Sequence, residues 1–256
     1  MKKILFFALV TLICSSSSCK PDPVPAPVEV KNGIMSLTFK PTYGSKPLTI
    51  NKIYDYNGKK VRFTKWQFLI NNACFVKDAR NPVNTCGNEN TVALVDLTTL
   101  DDSLKSVNGY KITLNSLPVG SFQSFNFTVG LGPLLNDKLP KDFPSSNPLS
   151  DGANYWIDWK SFIFSKLEGL MDKDGDGKFE TGFTLHTGGR TNTFVAGFWT
   201  DFQVDEKGTT NLNMDANLTD LLQGIDLTTV NSTHQTGDEP TMLKMMNNYL
   251  FAITVK

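Results

Sequence analysis

An all-β chain, folded as an antiparallel β-sandwich of immunoglobulin-like or barrel-like form with few short helices, is what this sequence predicts. Three observations carry the prediction. Short alternating segments recur between turn signals: "MSLTFKPTY", "LTINKIYDY", "KVRFTKWQFLI", "ALVDL", "YKITL", "FQSFNFTVGL", "FTLHT", "FVAGFWTDFQV" and "TNLNMDA". Such spacing argues for a sandwich or barrel. The strands are long and linked in sequence, which favours antiparallel pairing. Helical periodicity is sparse and sits late in the chain.

The elements follow in chain order. Residues 1–18 carry Lys2 and Lys3, an apolar run from Ile4 to Ile13 and then serines, the layout of a secretory signal. The run of about ten residues is too short to span a bilayer as a helix. Ser16-Ser17-Ser18-Cys19 looks like a bacterial lipobox, which makes Cys19 the expected acylated first residue and the membrane its anchor. Ordinary signal cleavage leaving a free cysteine is the plainer alternative. Residues 19–33 are rich in proline and read as a semi-rigid tether. The expected address is the bacterial outer membrane, facing the periplasm or the outside.

Residues 34–256 then form one domain, for no second linker or repeat interrupts them. Removing Lys2 and Lys3 from 25 basic residues leaves 23 against 25 acidic ones, a net charge of 23 − 25 = −2. Nothing in that balance favours nucleic acid. Cys74 and Cys86 are an even pair in an exported chain and are expected to close a disulfide; a metal thiolate pair would favour closer C-x-x-C spacing.

Turns and helices leave their own marks. Tyr56-Asn57-Gly58-Lys59 is expected to be a hairpin turn, because Asn-Gly accepts the positive φ of a type I′ turn. Asp205-Glu206-Lys207-Gly208 looks like a second hairpin. A short helix is expected near 217–223 and a longer one after Glu239-Pro240, with Met242, Met245, Met246 and Tyr249 on one face. Thioethers suit Cu(I), yet a core-facing helix explains that stripe better. In "NYWIDWKSFIF", residues 154–164, Ser150 or Asp151 can cap a short turn that puts Trp156 and Trp159 on one side, as a core anchor.

Two places carry metal chemistry. In "DKDGDGKFE", Asp172, Asp174 and Asp176 occupy positions 1, 3 and 5 of an oxygen-rich Ca²⁺ loop, Gly177 supplies the turn and Lys178 offers its carbonyl. Position 12 is Phe183, so the bidentate carboxylate is missing and Glu180 is its partial substitute. A solvated acidic turn is the rival reading. The two histidines, His186 and His234, offer imidazole nitrogens, and neither sits beside a G-x-S-x-G nucleophile motif. No catalytic constellation is evident, and the chain is not expected to be an enzyme.

The series "FLINNACFVKD", "TVALVDL", "SFQSFNFTVGLGPLLN", "NPLSDGANYWIDWKSFIFSKLEG" and "GFTLHTGG", in that order, resembles the MbnP-like copper-binding domain from about residue 35 onward. The resemblance implies an exported β-sandwich protein without catalytic turnover. It further implies copper held by two histidines and a tryptophan that a partner di-haem peroxidase has oxidised to kynurenine. The family's H-x-G segment matches His186. Its W-x-H segment falls on Gly87-Asn88-Glu89, so the modifiable tryptophan and the first histidine have no counterpart. His234 is then the expected replacement ligand if the last loop folds back, with Glu89 as an oxygen donor at the vacated position. Trp66 and Trp199 are the tryptophans to check for oxidation. The alternative is a cell-surface interaction module that binds protein or glycan and uses metal only as a brace.

Overall fold

The computed structural model describes residues 32–78, 80, 84–86, 91–189, 194–235 and 237–256. The signal, Cys19, most of the tether and Glu89 lie outside the described residues. Fourteen strands are described: β1 (Asn32–Tyr43), β2 (Lys46–Pro47), β3 (Ile53–Tyr56), β4 (Lys59–Val76), β5 (Asn84–Cys86), β6 (Val92–Asp96), β7 (Tyr110–Pro118), β8 (Gly120–Val129), β9 (Tyr155–Trp156), β10 (Ser161–Asp172), β11 (Thr181–Gly188), β12 (Phe194–Val204), β13 (Thr209–Asn217) and β14 (Ile253–Val255). Four helices accompany them, α1 (Ser103–Asn108), α2 (Pro133–Asn136), α3 (Leu218–Leu221) and α4 (Glu239–Ala252).

The strands form two sheets, and neither closes into a barrel. The smaller runs β14-β13-β1-β2, with β7 also paired to β1. The larger runs β11-β10-β4-β8-β12, with β3, β5 and β6 along β4 and β9 on β10. Phe39 of β1 joins the sheets, its ring meeting Phe68 of β4 at 5.5 Å and Phe127 of β8 at 6.3 Å. All three rings are buried. Edge-on aromatic contacts of this kind add about 0.5–1.5 kcal/mol each beyond the area they bury.

Most pairing is antiparallel, as expected, but β1 and β13 run parallel, from Ile34↔Thr209 to Thr42↔Asn217. The Asn57-Gly58 turn forms as its residues require, with φ of 49° and 77° between paired Tyr56 and Lys59. The Asp205–Gly208 turn is no hairpin: it carries the chain from β12 in the large sheet to β13 in the small one. "LTINKIYDY" becomes strand only from Ile53, because Asn51 adopts φ 66° and breaks the run, while Leu48 and Ile50 stay buried as plugs. Cys74 and Cys86 face each other across β4 and β5 and form the expected disulfide.

The two expected helices form. Asn217 caps α3 by accepting from Thr219 N, and α4 opens on Glu239-Pro240 and buries Met242, Met245, Met246 and Tyr249. Helix α1 carried signals that hydrophobic alternation hides: Asp102 accepts from Lys105 N at its start and Gly109, at φ 79°, ends it. The Tyr249 hydroxyl sits in the core, 2.5 Å from Ser165 Oγ and accepting from Trp66 Nε1 at 3.3 Å. Burial pushes its ionisation well above the ordinary tyrosine value. Tyr249→Phe leaves that indole N–H without its acceptor, and a loss of about 1–3 kcal/mol is expected. Denaturant unfolding of the two proteins measures it.

Candidate metal centre

Strand alternation separates two faces of the β4–β10–β11 ribbon. Trp66, Leu167 and Leu185 point into the core. Residues in register on the other face are Gln67, Lys166 and His186, with Lys65, Glu168 and Thr184 one step along. This polar face is covered by the segment 147–160 and by residues 231–235, so its charges must find partners.

His234 is brought to His186 by that second segment. Ser232 forms a parallel bridge with Thr184, Thr184 N donates to Asn231 O, and His186 N donates to Thr233 Oγ1 at 2.8 Å. The hydroxyl of Thr233 in turn donates to His186 O. His234 Nε2 then lies 2.9 Å from His186 Nδ1, with ring centroids 4.6 Å apart. On the far side His186 Nε2 is 2.9 Å from Glu168 Oε1, and Lys65 Nζ is 3.2 Å from the same oxygen. Ser232 Oγ is 3.2 Å from His234 Nδ1.

The two tryptophans belong to this site and are no core anchor. Both are only partly buried. Trp156 stacks on His234 at 4.5 Å with 9° between the planes, and Trp159 lies 6.0 Å from the same ring and 5.7 Å from Trp156. Asp151 does cap the short turn before them, accepting from Ala153 N. Gly188 makes room, since a Cβ there would fall 2.9 Å from the Trp159 ring and 2.7 Å from Phe162 O. The Trp156 Nε1 atom is buried without a hydrogen-bond partner. Lys166 ties the covering segment down by donating to Ala153 O and Asn154 Oδ1, both at 2.8 Å.

The electrostatics follow from this crowding. The hydrogen bond from His186, aided by Lys65 and opposed by burial, holds the Glu168 carboxyl down at about 2. Burial lowers the His234 imidazole, and the neighbouring His186 lowers it further. Burial, with Lys65 adding to it, also lowers the Lys166 ammonium.

The acidic loop between β10 and β11 is a separate place. Asp172, Asp174 and Asp176 present carboxylate oxygens within 4.8 Å of one another. Asp172 is buried and accepts from Gly175 N at 2.7 Å and Gly177 N at 3.0 Å. Asp176 pairs with Lys178 Nζ at 2.5 Å. Glu180 is exposed and stands outside the group. Trp66 lies in the core and Trp199 is 72 % exposed on β12, so neither meets the histidines.

A family model described as MbnP matches residues 32–236. The chain belongs to the MbnP family. Among solved structures it is similar to MbnP from Methylosinus trichosporium, with 14 % identity over 81 % of this chain and 82 % of that one, at a TM-score of 0.53. Identity that low speaks for the MbnP fold alone. No curated protein matches the chain. His186 is described beside His234, whereas Gly87, Asn88 and Glu89 fall outside the described residues.

The alternation of "SKLEG" already puts Lys166 and Glu168 on one face; what the sequence could not give was the register that sets Glu168 against His186. Because Glu168 ionises in the fold well below its ordinary 4.5, the unfolded chain takes up its proton first as the solution is acidified. Its stabilisation is therefore full above about pH 4.5 and lost from there towards about pH 2. Stability against unfolding, measured across that window, is expected to fall with falling pH, and less so in Glu168→Gln.

Proposed function

We propose that this is an exported, lipid-anchored metal-binding protein of the MbnP family, in which His186 and His234 hold copper. The observation that carries the reading is the approach of their Nδ1 and Nε2 atoms to 2.9 Å across 48 positions of sequence. Two neutral imidazole nitrogens make a fitting copper donor pair. Among the described residues no third histidine, cysteine or acidic side chain brings a ligand atom within 4.8 Å of both, Glu168 meeting only the far nitrogen of His186. The donor set thus fits copper as a pair, and bound copper supplies a cargo or an electron-transfer centre. The chain's own part is to aim two nitrogens and, through Trp156 and Trp159, to keep water from one side of the His234 ring.

Copper titrated into the metal-free protein is expected to bind, and His186→Ala or His234→Ala to weaken it by more than about tenfold, since even outer partners of metal ligands cost 10–100-fold. Unchanged affinity in both variants would sink the reading.

Calcium is the second metal of the proposal, held by Asp172, Asp174 and Asp176 with the Lys178 carbonyl, and its role is to brace the β10–β11 loop. The convergence of three carboxylates favours it, because a divalent cation would relieve their mutual repulsion. Chelated protein is expected to release or absorb heat on adding Ca²⁺ and to melt at a higher temperature. Asp174→Ala, at an exposed position, is expected to remove both effects.

A second reading, a surface interaction module, is favoured by the exposure of Trp199 and Val195 on β12. Metal content of protein purified from its native envelope separates the two: stoichiometric copper supports the first and calcium alone the second.

A further inference from the structure

Five side chains form one hydrogen-bonded line through the histidine pair: Ser232, His234, His186, Glu168 and Lys65. With both rings neutral, its direction follows by elimination. The same Glu168 oxygen meets the Lys65 ammonium at 3.2 Å and the His186 ring at 2.9 Å, so it accepts from both and His186 Nε2 is the donor. A neutral His186 protonated on Nε2 has a bare Nδ1, which can only accept. His234 Nε2, 2.9 Å away, must then donate to it in the metal-free protein. That leaves His234 Nδ1 bare, and the Ser232 hydroxyl donates to it across 3.2 Å.

We infer that Glu168 is the positioning residue of this centre, locking His186 as its Nε2–H tautomer so that Nδ1 is the atom it offers to a cation, with His234 offering Nε2. This rests on the copper reading for the identity of the cation, not for the tautomer. Every hydrogen bond on the line has a consequence for loading. His186 is already in the form a metal needs. His234 is not, because its Nε2 carries the proton that fills the gap between the rings. That proton must be carried on Nδ1 once a cation binds. A serine hydroxyl suits this position, since it donates to a bare Nδ1 and accepts from a protonated one without moving.

Lys65 completes the line. It shares Oε1 of Glu168 with His186, at 3.2 Å, and keeps the carboxylate from swinging away from the ring. The bulge between Glu168 and Gly169 sets where the carboxylate sits. Gly169 is required there: a Cβ would fall 2.3 Å from the Phe183 ring and 2.5 Å from Arg62 O. Outer carboxylates that orient a metal-binding histidine in this way typically account for 10–100-fold in affinity.

The test uses full-length protein labelled with ¹⁵N-histidine and stripped of metal. Long-range ¹H–¹⁵N correlation reports which ring nitrogen carries the proton. His186 is expected to show a protonated Nε2 and a bare Nδ1. A His186 protonated on Nδ1 overturns the proposal. In Glu168→Ala the preference is expected to be lost and copper affinity to drop about 10–100-fold. Ser232→Ala, at the other end of the line, is expected to keep the His186 tautomer while weakening copper binding, which guards against a mere folding defect in the first variant. Native tautomer and affinity in a folded Glu168→Ala also overturn the proposal. If wild-type protein shows the expected tautomer yet binds no copper, the positioning role of Glu168 is supported and the copper reading of the site falls.

Discussion

Strand β4 must satisfy the backbone hydrogen bonds of 18 consecutive residues, and the two sides of its ladder determine where everything else in the large sheet goes. Arg62 pairs with Ile53 and Leu170, Gln67 with Asp96 and Lys166, Ile70 with Ala93 and Val129, and Cys74 with Cys86 and Asn126. One edge is thus taken in turn by β3, β6 and β5, and the other by β10 and then β8. The hand-over from β10 to β8 comes between Phe68 and Ile70, and just beyond it Asn72, at φ 55°, lies where the register with β8 shifts between Asn71 and Cys74. Because β10 is held along the first half of β4, its partner β11 and the histidine at its end are held too.

The second constraint is that the same ribbon is covered on both faces. A core face of phenylalanines needs nothing but shape, whereas a covered face with lysines, a glutamate and a histidine needs partners for every charge. The solution joins two distant loops to one strip of sheet. Lys166 holds the segment with the tryptophans, and Thr233, bonded in both directions to the His186 backbone, holds the segment with the second histidine. The aromatic pair is therefore a partly exposed wall beside the histidine pair.

Much of this fold was legible in the sequence. Alternation gave nearly every long strand, Asn-Gly gave the first hairpin, and the methionine stripe gave α4. Alternation failed where the chain turns without losing its apolar residues, as at Leu48 and Ile50, and it could not tell a turn that closes a hairpin from one that changes sheet, as at Asp205–Gly208. The histidine pair was readable only as a condition, that the last loop return to β11, since no local rule ties Ser232 to Thr184. Trp156 and Trp159 were misplaced for a related reason: ring size alone favours the core, and only the stacking partner, 78 positions on, tells otherwise.

The parallel pairing of β1 with β13 has a consequence in time. Ile34 lies against Thr209, 209 − 34 = 175 positions later, and β1 sits inside its sheet, between β13 and β7. The first described strand must wait for one of the last before its sheet is complete. Contacts so remote in sequence slow folding, towards the millisecond-to-second range typical of sandwiches, and they make it an event of the whole chain. A domain built this way stays unfolded until nearly all of it is available, so a chain cut short before β13 leaves its first sheet without the strand beside β1.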